Sequence, residues 1–144
     1  MSNLFLYKMI RPLLIISTIV IAFSLDQVVG KEKEYYAATN DKGVQEVEIT
    51  GDNYYFSPDH IIVKVNIPVE FKIKKNSVGI VPHNLIVDAL EAGIFISESI
   101  KIEPRVIRFT PTKIGKYSFY CDKRLLFFKS HREKGMEGML EVIR

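Results

Sequence analysis

The chain has 144 residues, 47% of them apolar and 26% charged, with six prolines, which describes one compact domain and excludes a disordered chain. Twenty Lys and Arg against 17 Asp and Glu give a formal charge of +3, far below the concentrated basicity of a dedicated nucleic-acid binder, so nucleic acid is set aside as a partner. The single cysteine, Cys121, excludes an internal disulfide, a four-thiolate zinc or iron-sulfur site, and a paired-cysteine redox motif.

At the N-terminus, Lys8 and Arg11 precede a run from Leu13 to Leu25 that is apolar except for Ser17, Thr18 and Ser24, and Asp26 and Gln27 close it. This is the layout of a secretory signal over residues 1–24, with Ala22-Phe23-Ser24 as a small-x-small cleavage site and Val28-Val29-Gly30 as a second one. The run spans 13 residues, short of the roughly 20 that cross a bilayer as a helix. An uncleaved membrane anchor is the alternative, and export to the periplasm or another extracytoplasmic space is expected either way. Removing residues 1–24 takes away Lys8 and Arg11 and no acidic side chain, leaving 18 basic against 17 acidic residues. In an oxidising compartment the unpaired thiol of Cys121 must then be deeply buried or hold a metal.

Residues 25–43 are polar and mixed in charge, and Thr39-Asn40-Asp41-Lys42-Gly43 is a loop signal, so this stretch reads as a leader strand or tether, poorly ordered, ahead of a domain over 44–144. From Val44 the pattern is short strands. Val44, Val47 and Ile49 lie in the first; Ile61, Val63 and Val65 alternate with Ile62, Lys64 and Asn66; Val69, Phe71 and Ile73 alternate with Glu70, Lys72 and Lys74. Asn84–Val87, Val106–Phe109, Tyr117–Tyr120 and Met139–Ile143 supply further strands, punctuated by prolines and glycines. Only Asp122–Lys129 has any helical character. Seven or eight short strands in about 100 residues predict an all-β Greek-key β-sandwich.

Three histidines are available. His60, in Ser57-Pro58-Asp59-His60, reads as a solvated loop residue. His83 follows Pro82 and precedes Asn84, and His131 follows Cys121 after nine intervening residues, with Met136 close behind. Thiolate, imidazole and thioether donors around one strand-to-strand loop select copper, and two histidines with one cysteine and a weak axial methionine form the blue-copper arrangement. His83 would supply the second imidazole from another loop. Each donor has a plainer counterpart: Cys121 as a small buried hydrophobe, Met136 as core filler, and Met139, Glu133 or Glu137 as the axial donor in its place.

On these residues the chain from about Val44 to Ile143 resembles the cupredoxins, the group of plastocyanin, azurin and rusticyanin. His83-Asn84 resembles the mid-domain histidine motif, Tyr117, Phe119 and Cys121 the strand ending in the ligand cysteine, and His131, Met136 and Gly138 the closing His-x-x-x-x-Met-x-Gly segment. Phe56-Ser57-Pro58 to Pro68-Val69-Glu70-Phe71 resembles the early strands of small bacterial members. The resemblance implies one copper ion cycling between Cu(I) and Cu(II), held by His83, Cys121, His131 and Met136, with Asn84 tying the ligand loops together by hydrogen bonds. It implies single-electron transfer rather than catalysis, with redox proteins as partners: a cytochrome, an oxidase or a reductase.

One departure stands out. Nine residues, Asp122–Ser130, separate Cys121 from His131, more than the family commonly has, and a short helix capped by Asp122 would absorb them. Leu125, Leu126, Phe127 and Phe128 lie within that stretch, either as an exposed partner surface or as a plug over the end of the sandwich. Lys123, Arg124, Lys129, Arg132 and Lys134 outnumber Asp122, Glu133 and Glu137 around them. The single cysteine excludes the binuclear copper domain of oxidase subunit II. Two rival functions remain: a Cu(I) delivery or storage protein using the same ligands, and a thiol enzyme using Cys121 with a histidine base.

Overall fold

The computed structural model describes residues 33–144. The expected signal segment and the first part of the leader lie outside the described residues. Eleven strands run in chain order: β1 (Tyr35–Tyr36), β2 (Ala38–Thr39), β3 (Gln45–Asp52), β4 (Tyr55–Ser57), β5 (His60–Lys64), β6 (Val69–Lys74), β7 (His83–Ala89), β8 (Ile94–Ile100), β9 (Arg105–Phe109), β10 (Gly115–Tyr120) and β11 (Glu137–Ile143). Two 3-10 turns, Leu90–Ala92 and Arg132–Lys134, are the helical segments among the described residues.

The strands form two sheets. One has six strands in the order β1-β5-β11-β10-β7-β8, the other has β2-β3-β6-β9 with β4 paired to β3. The alternation read from the sequence explains the layering. Val69, Phe71 and Ile73 of β6 point inward while Glu70, Lys72 and Lys74 do not, and Val47 and Ile49 of the parallel neighbour β3 add to the same inner face. Opposite them lie Ile61 and Val63 of β5, Leu85 and Val87 of β7, Phe119 of β10, and Leu140 and Val142 of β11, all buried in one cluster. Phe56 meets Phe119 edge to face with centroids 5.2 Å apart, closing the core near one end.

Gln45 ties the two layers together. Its side chain, fully buried, donates to the carbonyls of Lys64 (3.0 Å) and Ile67 (3.3 Å), while its Oε1 accepts from the Lys64 N–H. Its amide thus satisfies the backbone where β5 ends.

The all-β sandwich agrees with the sequence reading, but three particulars differ. The polar stretch ahead of residue 44 is a leader strand, not a loosely ordered tether: it carries β1, parallel to β5, and β2, antiparallel to β3, so Tyr35–Thr39 contribute to both sheets. Strand β8 has no counterpart in the sequence reading. Ile94, Ile96 and Ile100 face inward, yet exposed Phe95 fills one outward position and blurs the alternation. His60 is buried rather than solvated. It opens β5 and its Nε2 lies 3.0 Å from Glu141, which also pairs with Lys116.

Gly138 marks the tightest backbone approach. A Cβ there would run into the Phe119 ring and the carbonyl oxygen of Asp59. Gly138→Ala is expected to cost about 1–3 kcal/mol by forcing Phe119 or β11 aside, read as a lower denaturant midpoint at unchanged slope.

Candidate metal centre

Three chain segments converge at one end of the sandwich. Strand β7 opens on His83, β10 delivers Cys121 just past its last residue, and His131 precedes the 3-10 turn that leads through Met136 into β11. The Cys121 N–H donates to the Met136 carbonyl at 3.1 Å and the Arg132 N–H to the Cys121 carbonyl at 3.0 Å, so the loop is held tightly on both sides of the cysteine. The Met136 N–H donates to the His131 carbonyl at 2.9 Å. Backbone hydrogen bonds alone therefore fix the mutual positions of Cys121, His131 and Met136.

The side chains face one another. His131 Nδ1 lies 3.1 Å from His83 Nδ1 and 3.4 Å from Cys121 Sγ, and one ligand atom from each of the three residues falls within 4.8 Å of the others. All three are buried, as is Met136. The Asn84 N–H points at Cys121 Sγ at 3.4 Å. The Asn84 side chain pairs twice with Asp122, donating to its carboxylate at 2.9 Å and accepting from its N–H at 3.1 Å. That pair joins the start of β7 to the loop after β10.

Burial sets the protonation states. It pushes His83 down to about 4, helped by the positive charges of His131 and Lys75 and opposed by Asp52. Burial, then Lys134, lowers His131, while burial raises the Cys121 thiol despite N–H donors from Asn84 and Lys123. Both imidazoles are therefore neutral near pH 7 and offer lone pairs. Because the unfolded chain protonates His83 at an ordinary 6.5 and the folded chain only at about 4, the metal-free protein is expected to lose stability as pH falls through that interval. Urea midpoints measured across this range check it; a flat profile there contradicts the assignment.

The donor set suits a single copper ion. Two neutral nitrogens at hydrogen-bond separation share no more than one proton, and the thiol beside them supplies soft sulfur, with buried Met136 tied to Cys121 and His131 through its backbone. No carboxylate belongs to the group. Glu133 is tied to Ser130 and Arg124, and Glu137 to Arg132, so neither glutamate is free to serve as the alternative donor. Met139 lies inside β11 with its N–H on the Asp59 carbonyl, whereas fully buried Met136 precedes the strand.

The expected helix over Asp122–Lys129 does not form. Its cap is spent, because the Asp122 carboxylate is taken by Asn84. Leu126 adopts a left-handed φ of 47°, and the segment is instead an open loop with one turn, Phe128 N–H to Leu125 carbonyl at 3.0 Å, closed at its base by His131 N–H to Lys123 carbonyl at 2.8 Å. Leu125, Leu126, Phe127 and Phe128 are all exposed, so they do not plug the sandwich.

Two neighbours of the site had no signal in the residues read as ligands. Tyr54 lies edge-on to His131 at 4.8 Å and to His83 at 6.1 Å, with Lys134 Nζ 4.3 Å from its ring centre. It reaches there from the two-residue turn Asn53-Tyr54 between β3 and β4, where both residues have positive φ. Only that hairpin geometry brings its ring to the histidines. Lys75 is buried beside them and donates to the carbonyls of Gly79 (2.6 Å) and Val81 (2.9 Å). Burial alone would raise the nearby Asp52 carboxyl, but the Ser77 hydroxyl and N–H and the Asn53 N–H together hold it below its usual range. Lys75 and Asp52 thus shape the loop that carries His83.

Comparison with known proteins agrees with this geometry. The family described as a cupredoxin-like domain matches residues 15–137. Similar structures include the metal binding domain of the Cu(I) exporting P-type ATPase CopA of Streptococcus pneumoniae, at 23% identity and TM-score 0.58, covering 80% of this chain and all of that one. A copper binding protein in the apo form matches at 18% identity and TM-score 0.57, over 78% of this chain and all of that one. Auracyanin B matches at 19% identity and TM-score 0.52, over 75% of this chain and 95% of that one. No curated protein sequence matches the chain. Over most of its length, with its strands, sheets and donor cluster in agreement, the chain belongs to the cupredoxin-like family.

Proposed function

We propose that the protein is an exported carrier of single electrons, with His83, Cys121 and His131 as the strong donors to one copper ion and Met136 as a weak fourth donor. The observation that carries this reading is the convergence of His83 Nδ1, His131 Nδ1 and Cys121 Sγ in one buried pocket. Copper bound there would supply a one-electron couple between Cu(I) and Cu(II). The chain's own part is to hold the donors still. The Asn84–Asp122 pair and the backbone bonds among Cys121, His131 and Met136 resist movement of the ligands when the charge at the site changes. Redox proteins such as a cytochrome, an oxidase or a reductase are the partners this role calls for. Export rests on the basic and apolar pattern of residues 1–24.

Delivery or storage of Cu(I) is the second reading. Full burial of both histidines behind Tyr54 favours it, as does the similarity to a domain whose description includes Cu(I). A thiol enzyme fits less well, since Cys121 is buried and burial holds its thiol in the protonated state.

A redox titration of copper-loaded protein separates the first two. A reversible visible band with a stable potential supports the carrier; a site that holds only Cu(I) through the titration refutes it. Met136→Gln is expected to keep the metal and shift the potential, because a carboxamide oxygen replaces a soft thioether. An unchanged potential removes Met136 from the donor set.

A further inference from the structure

The loop between Cys121 and His131 carries more apolar surface than the metal centre needs. Leu125, Leu126, Phe127 and Phe128 are 64%, 76%, 85% and 51% exposed, four large side chains in succession on a projecting turn. The loop is fixed at its base by the His131 to Lys123 backbone bond. A second loop at the same end, just before His83, exposes Val78 and Ile80. Single exposed hydrophobes are ordinary on a protein surface, but a contiguous group of this kind marks a contact surface.

The charges around the loop say what it contacts. Arg124 pairs with Glu133 and Arg132 with Glu137, which leaves Lys123 and Lys129 without an ion pair among the described residues. The Asp122 carboxylate is turned onto Asn84. The apolar tip is therefore flanked by two ammonium groups held in no ion pair, the arrangement by which amphipathic segments seat leucine and phenylalanine at the acyl boundary with lysines at anionic headgroups.

The entry of the chain points the same way. The first described residues, Lys33 and Glu34, share a recess with Ser57, Pro58, Asp59 and Asn76. Asp59 accepts the Met139 N–H, and Asn76 adjoins the Ser77 that is bonded to Asp52, so this recess lies on the metal side of the sandwich. Thirty-two residues precede it, including the apolar run Leu13–Leu25. The described chain thus enters the domain on its metal side, downstream of the run read above as a secretory signal or an uncleaved anchor.

We propose that the Lys123–Lys129 loop inserts Leu125, Leu126, Phe127 and Phe128 into the interface of an anionic lipid bilayer and lays the metal end of the domain against the membrane. Four protruding side chains need no matching groove in a fluid interface, whereas a folded protein partner would have to supply one. The inference holds whether the copper centre carries electrons or stores Cu(I). Its consequence is that whatever exchanges electrons or copper with the site is itself embedded in the bilayer.

The chain contains no tryptophan, so Phe127→Trp places a single reporter at the loop tip of the full-length protein. With vesicles of phosphatidylcholine and phosphatidylglycerol, its emission is expected to shift to the blue and to be largely quenched by brominated acyl chains. Lys123→Gln with Lys129→Gln should weaken that response roughly tenfold, as should high salt, and phosphatidylcholine alone should give little. Because the reporter sits on the loop, attachment through the N-terminal run alone leaves it unquenched, and that result overturns the proposal. So does quenching that is equal on neutral vesicles, or a blue shift that requires an added acidic protein, which would assign the surface to a protein partner.

Discussion

Cys121→Ser is expected to abolish the intense visible band of the copper-loaded protein completely while leaving the sandwich folded. The band belongs to charge transfer from a thiolate, and a serine oxygen is a hard donor that does not supply it. The fold tolerates the change for a local reason. The Asn84 N–H that points at Sγ can donate to a hydroxyl in the same place, and the Cys121 backbone stays tied to Met136 and Arg132. The remaining cost is that of placing a hydroxyl in a buried site, about 1–3 kcal/mol. Visible absorption and far-UV circular dichroism on one sample check both halves; a band that survives the substitution refutes the ligand assignment.

Lys75→Met should affect the site without touching a ligand. Its ammonium holds the Gly79 and Val81 carbonyls and is one of the positive charges that depress His83. Removing it frees the loop ahead of His83 at a cost of about 2 kcal/mol, as for hydrogen bonds to a charged group. It also raises the His83 pKa in the metal-free protein. With copper bound, one positive charge fewer near the site favours the more highly charged oxidation state, so the reduction potential falls. Lys75→Arg keeps the charge and serves as the control. If arginine and methionine give the same potential and the same His83 titration, Lys75 acts on the loop alone.

These two substitutions illustrate what could be read from the sequence and what could not. The cluster of His83, Cys121 and His131 was legible because its chemistry is rare: one thiol and few imidazoles leave few ways to assemble such donors. The strands flanking them were legible because their apolar residues alternate. Tyr54 and Lys75 were not, because nothing in their types distinguishes them from surface residues. Tyr54 reaches the histidines only through the positive φ values of a two-residue hairpin turn, and Lys75 is buried only because two loop carbonyls close on it. The helix expected after Cys121 failed on a similar point. Asp122 was a good cap by type, but a tertiary partner, Asn84, 38 positions away, took its carboxylate. His60 is buried where its sequence context suggests solvent for the same reason, since Glu141 meets it from the far end of the chain.

The attachment of the first strands bears on how the domain responds to tension. Strand β1 forms the outermost edge of the six-stranded sheet and is paired over two residues, while β10 and β11, which frame the donors, are paired over six in its interior. A pull on the polypeptide ahead of residue 33 is therefore borne first by β1 and β2, which can peel away one pair at a time. The long ladders behind them remain closed. The short leading strands act as a mechanical fuse, so that drag on the upstream chain is dissipated at the rim before it can disturb the spacing of His83, Cys121 and His131.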